Sequence, residues 1–218
     1  MAARELLVFV KAPRAGSVKT RLAAAIGDDL AAEVYRALTA AVMKATAAVD
    51  PAEFRRVVCF APSDARAEIA AWLPGEVLVS QAEGDLGARM EQAFAASFAR
   101  GSRSSVLIGT DSLDVDRVAV ADAFAALENV DCVLRGAVDG GYTLIGLRRS
   151  QPSLFSGLAW SSEGVLAETL ALARAAGLRV VVHGPDGDVD TIDDLRRDWA
   201  RVRPHVEEAT ARRIEGWL

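Results

Sequence analysis

Lys11, Arg14, Lys19 and Arg21 fall within one short stretch, Lys11-Ala12-Pro13-Arg14-Ala15-Gly16-Ser17-Val18-Lys19-Thr20-Arg21, directly after an apolar run. Four cations in a loop shaped by Pro13 and Gly16 suit a polyphosphate. Backbone N–H groups can approach the oxygens while Lys19 and Arg21 neutralise their charge. The plainer alternative is a solvated basic loop. A Walker A loop does not fit, because glycine must directly precede its lysine and Val18 stands there.

Carboxylates recur at the ends of later apolar runs. Gly109-Thr110-Asp111-Ser112-Leu113-Asp114 follows Val106–Ile108. An acid there can hold Mg²⁺ or Mn²⁺ against a diphosphate, or Asp111 or Ser112 simply caps the next helix. Asp139-Gly140-Gly141-Tyr142 is either a functional turn or an ordinary hairpin. In Asp186-Gly187-Asp188-Val189-Asp190-Thr191 an EF-hand loop is excluded, since Thr191 occupies the glycine position and Arg197 that of the terminal glutamate. A haloacid-dehalogenase nucleophile motif is also a poor match so near the C-terminus. Metal ligands and helix-capping acids both remain open, and Asp190, just before Thr191, suits either. Gln81 is a polar loop residue or a reader of a nucleobase edge through its two-faced amide. His183 and His205 are far apart in sequence and support no Ser-His-Asp assignment.

These residues need elements to position them. Short β-type runs (Leu6–Val10, Val57–Ala61, Val77–Val79, Val106–Ile108, Val130–Leu134, Tyr142–Leu147, Val180–Val182) alternate with amphipathic stretches. Leu30, Val34, Leu38 and Val42 mark one helical face between Asp28 and Ala48. Ser63 caps a helix reaching about Trp72. Asp85 caps another, whose core face is Leu86, Met90, Phe94 and Phe98 and whose stop is Gly101. Further helices are expected at Val115–Leu127, from Ser161 or Ser162 to near Gly177, at Asp194–Val202 behind a Thr191/Asp194 capping box, and at Val206–Trp217. Strands separated by helices imply right-handed crossovers and a mostly parallel sheet covered on both faces. Ligands of such sheets bind beyond the strand carboxyl ends, where the segments above lie.

The 218 residues predict a single domain spanning 1–218. Hydrophobic residues make up 51% and charged residues 25%, which excludes disordered, collagen-like and disulfide-scaffold classes. A net charge of −5 argues against a nucleic-acid partner, which would demand a basic footprint. Arg outnumbers Lys 22 to 3, yet two of the three lysines sit in the Lys11–Arg21 loop. Cys59 and Cys132 match no metal spacing and read as buried thiols in a reducing compartment. No apolar run is long enough to span a bilayer. The expectation is a cytoplasmic protein with neither a membrane nor a nucleic-acid partner; oligomeric state is not readable.

In their order these blocks carry more than they do singly. The series Lys11-x-Pro13-x-x-Gly16-x-Val18-Lys19-Thr20-Arg21-Leu22, Gln81…Asp85-Leu86-Gly87-x-Arg89-Met90, Gly109-Thr110-Asp111-Ser112, Asp139-Gly140-Gly141-Tyr142-x-Leu144-Ile145-Gly146-Leu147, Trp160-Ser161 and Asp188-x-Asp190-Thr191 resembles the bacterial DUF2064 family, the selenodomain-associated or arsenosugar-biosynthesis-type glycosyltransferases. The resemblance runs from about residue 5 to 195. It implies a three-layer α/β/α, Rossmann-like GT-A fold of the nucleotide-diphospho-sugar transferase superfamily. It also implies similarity to small nucleotidyltransferases such as 2-phospholactate guanylyltransferase. By the same resemblance Lys11, Gly16, Lys19, Arg21, Gln81, Leu86 and Gly87 serve the nucleotide and its phosphates, and Asp111 holds a divalent metal. Two departures stand out: Asp111-Ser112-Leu113-Asp114-Val115 replaces the usual Asp-Ser-Pro-Asp-Leu, and Arg135-Gly136-Ala137 replaces Gly-Pro-Ala. Arg135 thereby adds a cation near the acceptor side.

The expected activity is transfer from a nucleotide-activated donor with Mg²⁺ or Mn²⁺ as cofactor, most simply a glycosyl group moved to a small acceptor. Asp111 with Asp188 or Asp190 would bind the metal, and Asp139 would position or deprotonate the acceptor. Nucleotidyl transfer to a phosphorylated substrate is the alternative, and a catalytically silent nucleotide-binding module is a third.

Overall fold

Leu6, Val8 and Val10 point to one side of the first strand and Leu7 to the other, and both sides are buried. That two-sided apolar pattern belongs to a central strand covered on both faces. A computed structural model, which describes residues 4–160 and 162–218, bears this out. Strand β1 (Arg4–Lys11) sits inside a seven-stranded sheet with β2 (Arg55–Ala61), β3 (Val77–Ser80), β4 (Ser104–Ile108), β5 (Cys132–Ala137), β6 (Tyr142–Leu147) and β7 (Val180–Asp186). The order is β3-β2-β1-β4-β6-β5-β7, and only β6 runs antiparallel to its neighbours.

Helices α2 (Asp28–Ala45), α3 (Arg66–Trp72) and α5 (Arg117–Ala126) cover one face through Val42, Ile69 and Phe124. Helices α4 (Leu86–Ala99) and α6 (Val165–Ala175) cover the other through Met90, Phe94 and Ala173. A further cluster joins α1 (Thr20–Ile26), the outer side of α2, α7 (Ile192–Val202) and α8 (Glu208–Glu215) through Leu22, Leu38, Leu195 and Ile214. This is the expected three-layer α/β/α arrangement.

Most boundaries fall within a few residues of expectation, and the differences have local causes. Ser63 opens a single 3₁₀ turn, Ser63–Ala65, rather than capping α3 with its side chain. Helix α6 begins at Val165 with no side-chain cap; Ser162 lies upstream, and Ser161 lies outside the described residues. Strand β7 continues beyond Val182 through Pro185, which an edge strand tolerates because a missing N–H there breaks no ladder. The capping box forms as read: Asp194 N–H donates to Thr191 Oγ1, and the Asp194 carboxylate accepts from the Thr191 N–H at 2.8 Å. Arg135 is not a free cation. It makes a two-pronged pair with buried Asp186 (2.5 and 2.8 Å), which also accepts from Thr143 Oγ1 at 2.7 Å.

Candidate active site

The carboxyl ends of β1, β4 and the β7–α7 connection meet at one edge of the sheet, as parallel strands require. Because β6 is reversed, its first residues, Tyr142 and Thr143, reach the same edge. Two adjoining chambers open there, each of about 500–550 Å³. Arg21, Leu86, Gly109, Asp111, Tyr142 and Thr143 line both.

Lys19 is the centre of the first chamber. Gly16, with φ of +77°, turns the loop, and Lys19 itself adopts a left-handed backbone (φ 49°, ψ 45°) immediately before α1. This is the sole non-glycine residue with positive φ among those described. Such a conformation costs roughly 1–3 kcal/mol and is held only where surroundings over-determine it. Here the side chain is 4% exposed, and its Nζ lies 2.5 Å from Asp111 Oδ1 and 4.0 Å from Asp190 Oδ1. Arg21 Nη1 donates to Asp190 Oδ2 at 2.9 Å. Lys11 closes the wall through its N–H, which donates to the Tyr35 hydroxyl at 2.8 Å.

The acids arrive from distant segments. Val189 N–H donates to the Asp111 carbonyl at 3.0 Å, so Asp188 and Asp190 flank the residue clamped to Asp111. Asp188 lines the second chamber, and Asp190 the first. Burial pushes the Asp188 carboxyl above its ordinary range, and neighbouring Asp139, Asp194 and Asp190 push the same way against the opposing pull of Lys19. Asp139 accepts from the Gly141 N–H at 2.9 Å and lines the second chamber. Among the described residues no three carboxylate, histidine or cysteine side chains stand close enough together to hold a metal ion, so Asp111, Asp188 and Asp190 are not gathered into a ready-made site. An ammonium stands between the acids instead.

Gln81 is half structural. Its Nε2 donates to the carbonyls of Cys59 (2.8 Å) and Val10 (3.2 Å), leaving Oε1 as the group with no partner assigned on the first chamber. Leu86 is 44% exposed and forms a wall of both chambers, so it does not join Met90 and Phe94 in the core as its helical spacing suggests. Gly87 and Gly16 line neither chamber. A side chain on Gly87 would meet the Phe155 carbonyl and Trp160 Nε1 at 2.5 Å, so its role is to let Trp160 pack against α4. Gly140 plays the same part for the hairpin: it has φ of +88°, and a Cβ would lie 2.0 Å from the Glu163 carbonyl. His183 and His205 line neither chamber. Cys59 and Cys132 are free and buried, and burial raises both thiols to about 12.

Sequence reasoning missed helix α1, Thr143 and Glu163. The profile of the family described as "Uncharacterized protein conserved in bacteria (DUF2064)" matches residues 42–162. The chain belongs to the DUF2064 family. Among solved structures, this DUF2064 member is similar to a provisionally assigned nucleotide-diphospho-sugar transferase from Desulfovibrio desulfuricans G20. The two share 31% identity over 94% of this chain and 99% of that one, with a TM-score of 0.83. It shares its fold with a 4-diphosphocytidyl-2C-methyl-D-erythritol synthase from Anaerococcus prevotii DSM 20548 (11% identity, 92% and 99% coverage, TM-score 0.58). It does so also with Rv0371c from Mycobacterium tuberculosis H37Rv, solved in complex with manganese (18% identity, 89% and 96% coverage, TM-score 0.53). No curated protein matches this DUF2064 sequence. No described helix is long and apolar enough to cross a membrane.

Proposed function

We propose that this DUF2064 protein is a metal-dependent transferase that uses a nucleotide-activated donor and moves a glycosyl group to a small acceptor. The observation that carries the reading is the Asp111–Lys19–Asp190–Arg21 chain of charges at the carboxyl ends of the strands. It alternates anionic and cationic groups across the mouth of a chamber large enough for a nucleotide. The likeness to the Desulfovibrio protein supports the donor class.

The chemistry of the acids suits a hard divalent cation, which would have to draw them together and displace Lys19. Asp111, Asp188 and Asp190 offer carboxylate oxygens, which Mg²⁺ and Mn²⁺ prefer; Lys19 pairs with Asp111 and Asp190, and Arg21 with Asp190. Bound there, the ion would supply charge neutralisation for the departing nucleotide. Lys19 and Arg21 would hold diphosphate oxygens by charge-assisted hydrogen bonds. Gln81 would receive a base N–H on Oε1. In the transfer, the bond between the anomeric carbon and the phosphate oxygen breaks with its electron pair leaving on the nucleoside diphosphate. The acceptor hydroxyl oxygen bonds to that carbon, and its proton passes to Asp139.

A melting-temperature screen of nucleotides and nucleotide sugars, with and without Mn²⁺, tests the binding, since a ligand of the native state raises apparent stability. Product analysis tests the chemistry. Free nucleoside diphosphate marks glycosyl transfer, and pyrophosphate release would replace that reading with nucleotidyl transfer. Binding with no turnover on any donor would reduce the protein to a nucleotide-binding module.

A further inference from the structure

The two chambers differ in charge although they share a wall. Lys11, Lys19, Arg21 and Arg89 line the first, against Asp111 and Asp190. Asp111, Asp139, Glu163 and Asp188 line the second, where Arg21 is the one cation among the described residues. Arg21 is already engaged by Asp190 at 2.9 Å. Arg135, the cation that sequence places nearby, is spent on Asp186. Asp139 and Glu163 form no ion pair of their own among the described residues and are spare even when Asp111 and Asp188 are given to a metal. Trp160 and Tyr142 supply the aromatic part of the wall, with rings 6.5 Å apart and near perpendicular.

We propose that the second chamber selects an acceptor that bears hydroxyl or amino groups and no phosphate or carboxylate, a neutral or cationic sugar-like molecule. The proposal rests on the transferase reading above and narrows it. Acceptor anions would face two carboxylates without a cationic partner, both on solvent-exposed residues, so the like-charge penalty is screened and amounts to a modest preference against anions. Carboxylates instead accept hydrogen bonds from hydroxyl and ammonium groups. Aromatic faces favour sugar C–H surfaces and cations. A phosphorylated co-substrate, which nucleotidyl transfer would demand, finds no cation here beyond Arg21. The first chamber admits anions and the second disfavours them, so the donor's orientation is biased by charge before any contact with the acceptor.

Two measurements on the full chain test this. The first is fluorescence quenching by caesium, iodide and acrylamide, taking the part of the signal that Trp160→Phe removes. Each normalised to its quenching of free N-acetyltryptophanamide, caesium should quench that part more than iodide does, and Asp139→Asn with Glu163→Gln should bring the two normalised values together while leaving acrylamide unchanged. The second uses the unaltered protein with Mg²⁺, which is diamagnetic, and a nucleoside diphosphate present. Saturation-transfer NMR should show glucose and glucosamine binding at least a few-fold more tightly than glucose 6-phosphate, as screened like charges imply. Normalised iodide quenching equal to or above normalised caesium quenching, or glucose 6-phosphate binding as tightly as glucose, overturns the proposal. Failure of every nucleotide to raise the melting temperature would instead overturn the transferase reading, with the charge selectivity of the chamber still measured by the quenchers.

Discussion

The N–H of Val189 donates to the carbonyl of Asp111 at 3.0 Å, and this one backbone bond ties the end of β4 to the segment leading into α7. It brings Asp188 and Asp190, the two neighbours of Val189, up to Asp111 without any side chain having to find another. The acids are therefore positioned by main chain, and side-chain substitutions among them should alter binding without unfolding the protein.

Asp111→Asn is the direct test of that separation. The variant should keep the melting temperature of the parent to within a few degrees. It should lose the Mn²⁺-dependent part of nucleotide binding, and turnover should fall by roughly 100-fold or more, the scale of losing one preorganised electrostatic contact. Full metal-dependent activity in the folded variant would remove Asp111 from the metal site.

Lys19→Ala should move two affinities in opposite directions. Nucleotide binding should weaken by about 1.5–3 kcal/mol with the loss of charge-assisted hydrogen bonds, and Arg21→Ala should do the same. Mn²⁺ alone should bind the Lys19 variant more tightly than the parent, because the ammonium now competes for Asp111 and Asp190. Isothermal titration reads both. Parallel weakening of metal and nucleotide would show that Lys19 organises the acids instead of competing for them.

Gln81→Ala should reorder the preference among nucleotides of different base, measured as relative dissociation constants. It should also cost stability, about 0.5–1.5 kcal/mol for each of the two hydrogen bonds to Val10 and Cys59 carbonyls. A stability loss with uniform weakening across bases would leave Gln81 as a brace between β1 and β2 only.

Arg135→Met should destabilise the protein by about 3–5 kcal/mol in chemical denaturation, since Asp186 would stay buried with only Thr143 as partner. The double variant Arg135→Met, Asp186→Leu should recover much of that loss. No change on removing Arg135 alone would mean that water already compensates Asp186.

Gly140→Ala should fail by a different route. Its left-handed backbone alone costs roughly 1–2 kcal/mol with a side chain, and the new Cβ would collide with the Glu163 carbonyl. Hydrogen exchange at Leu166, whose N–H donates to the Gly140 carbonyl at 2.9 Å, should accelerate. Unchanged exchange would show that the hairpin and α6 are not coupled.

What could be read in the chain beforehand follows from how local each signal is. The sheet was legible because each strand announces itself as an apolar run, and Asp85 capped α4 because a cap acts over three residues. Helix α1 was hidden: it is two turns long, and its N-cap is Lys19, which has no capping side chain. The pairing of Arg135 leaves no local signal, because its partner, Asp186, lies 51 residues away. The core assignment of Leu86 failed because helical spacing marks a face of α4 but not where the chamber cuts into it. The alternatives for Asp190 are not exclusive in the structure: it pairs with Arg21, and its N–H joins the Asp194 end of the capping box.

The single reversed strand has an architectural consequence. Since β6 runs against β5, the link between them at the ligand-binding edge is a tight turn rather than a helix-bearing crossover. A crossover carries a core helix and resists change in length, whereas a hairpin tip can lengthen, shorten or change composition with the strand order untouched. At residues 138–141 that freedom is curtailed, because Gly140 has no room for a side chain against the Glu163 carbonyl and its own carbonyl holds the Leu166 N–H, so the turn that carries Asp139 is pinned to α6 instead of to a crossover.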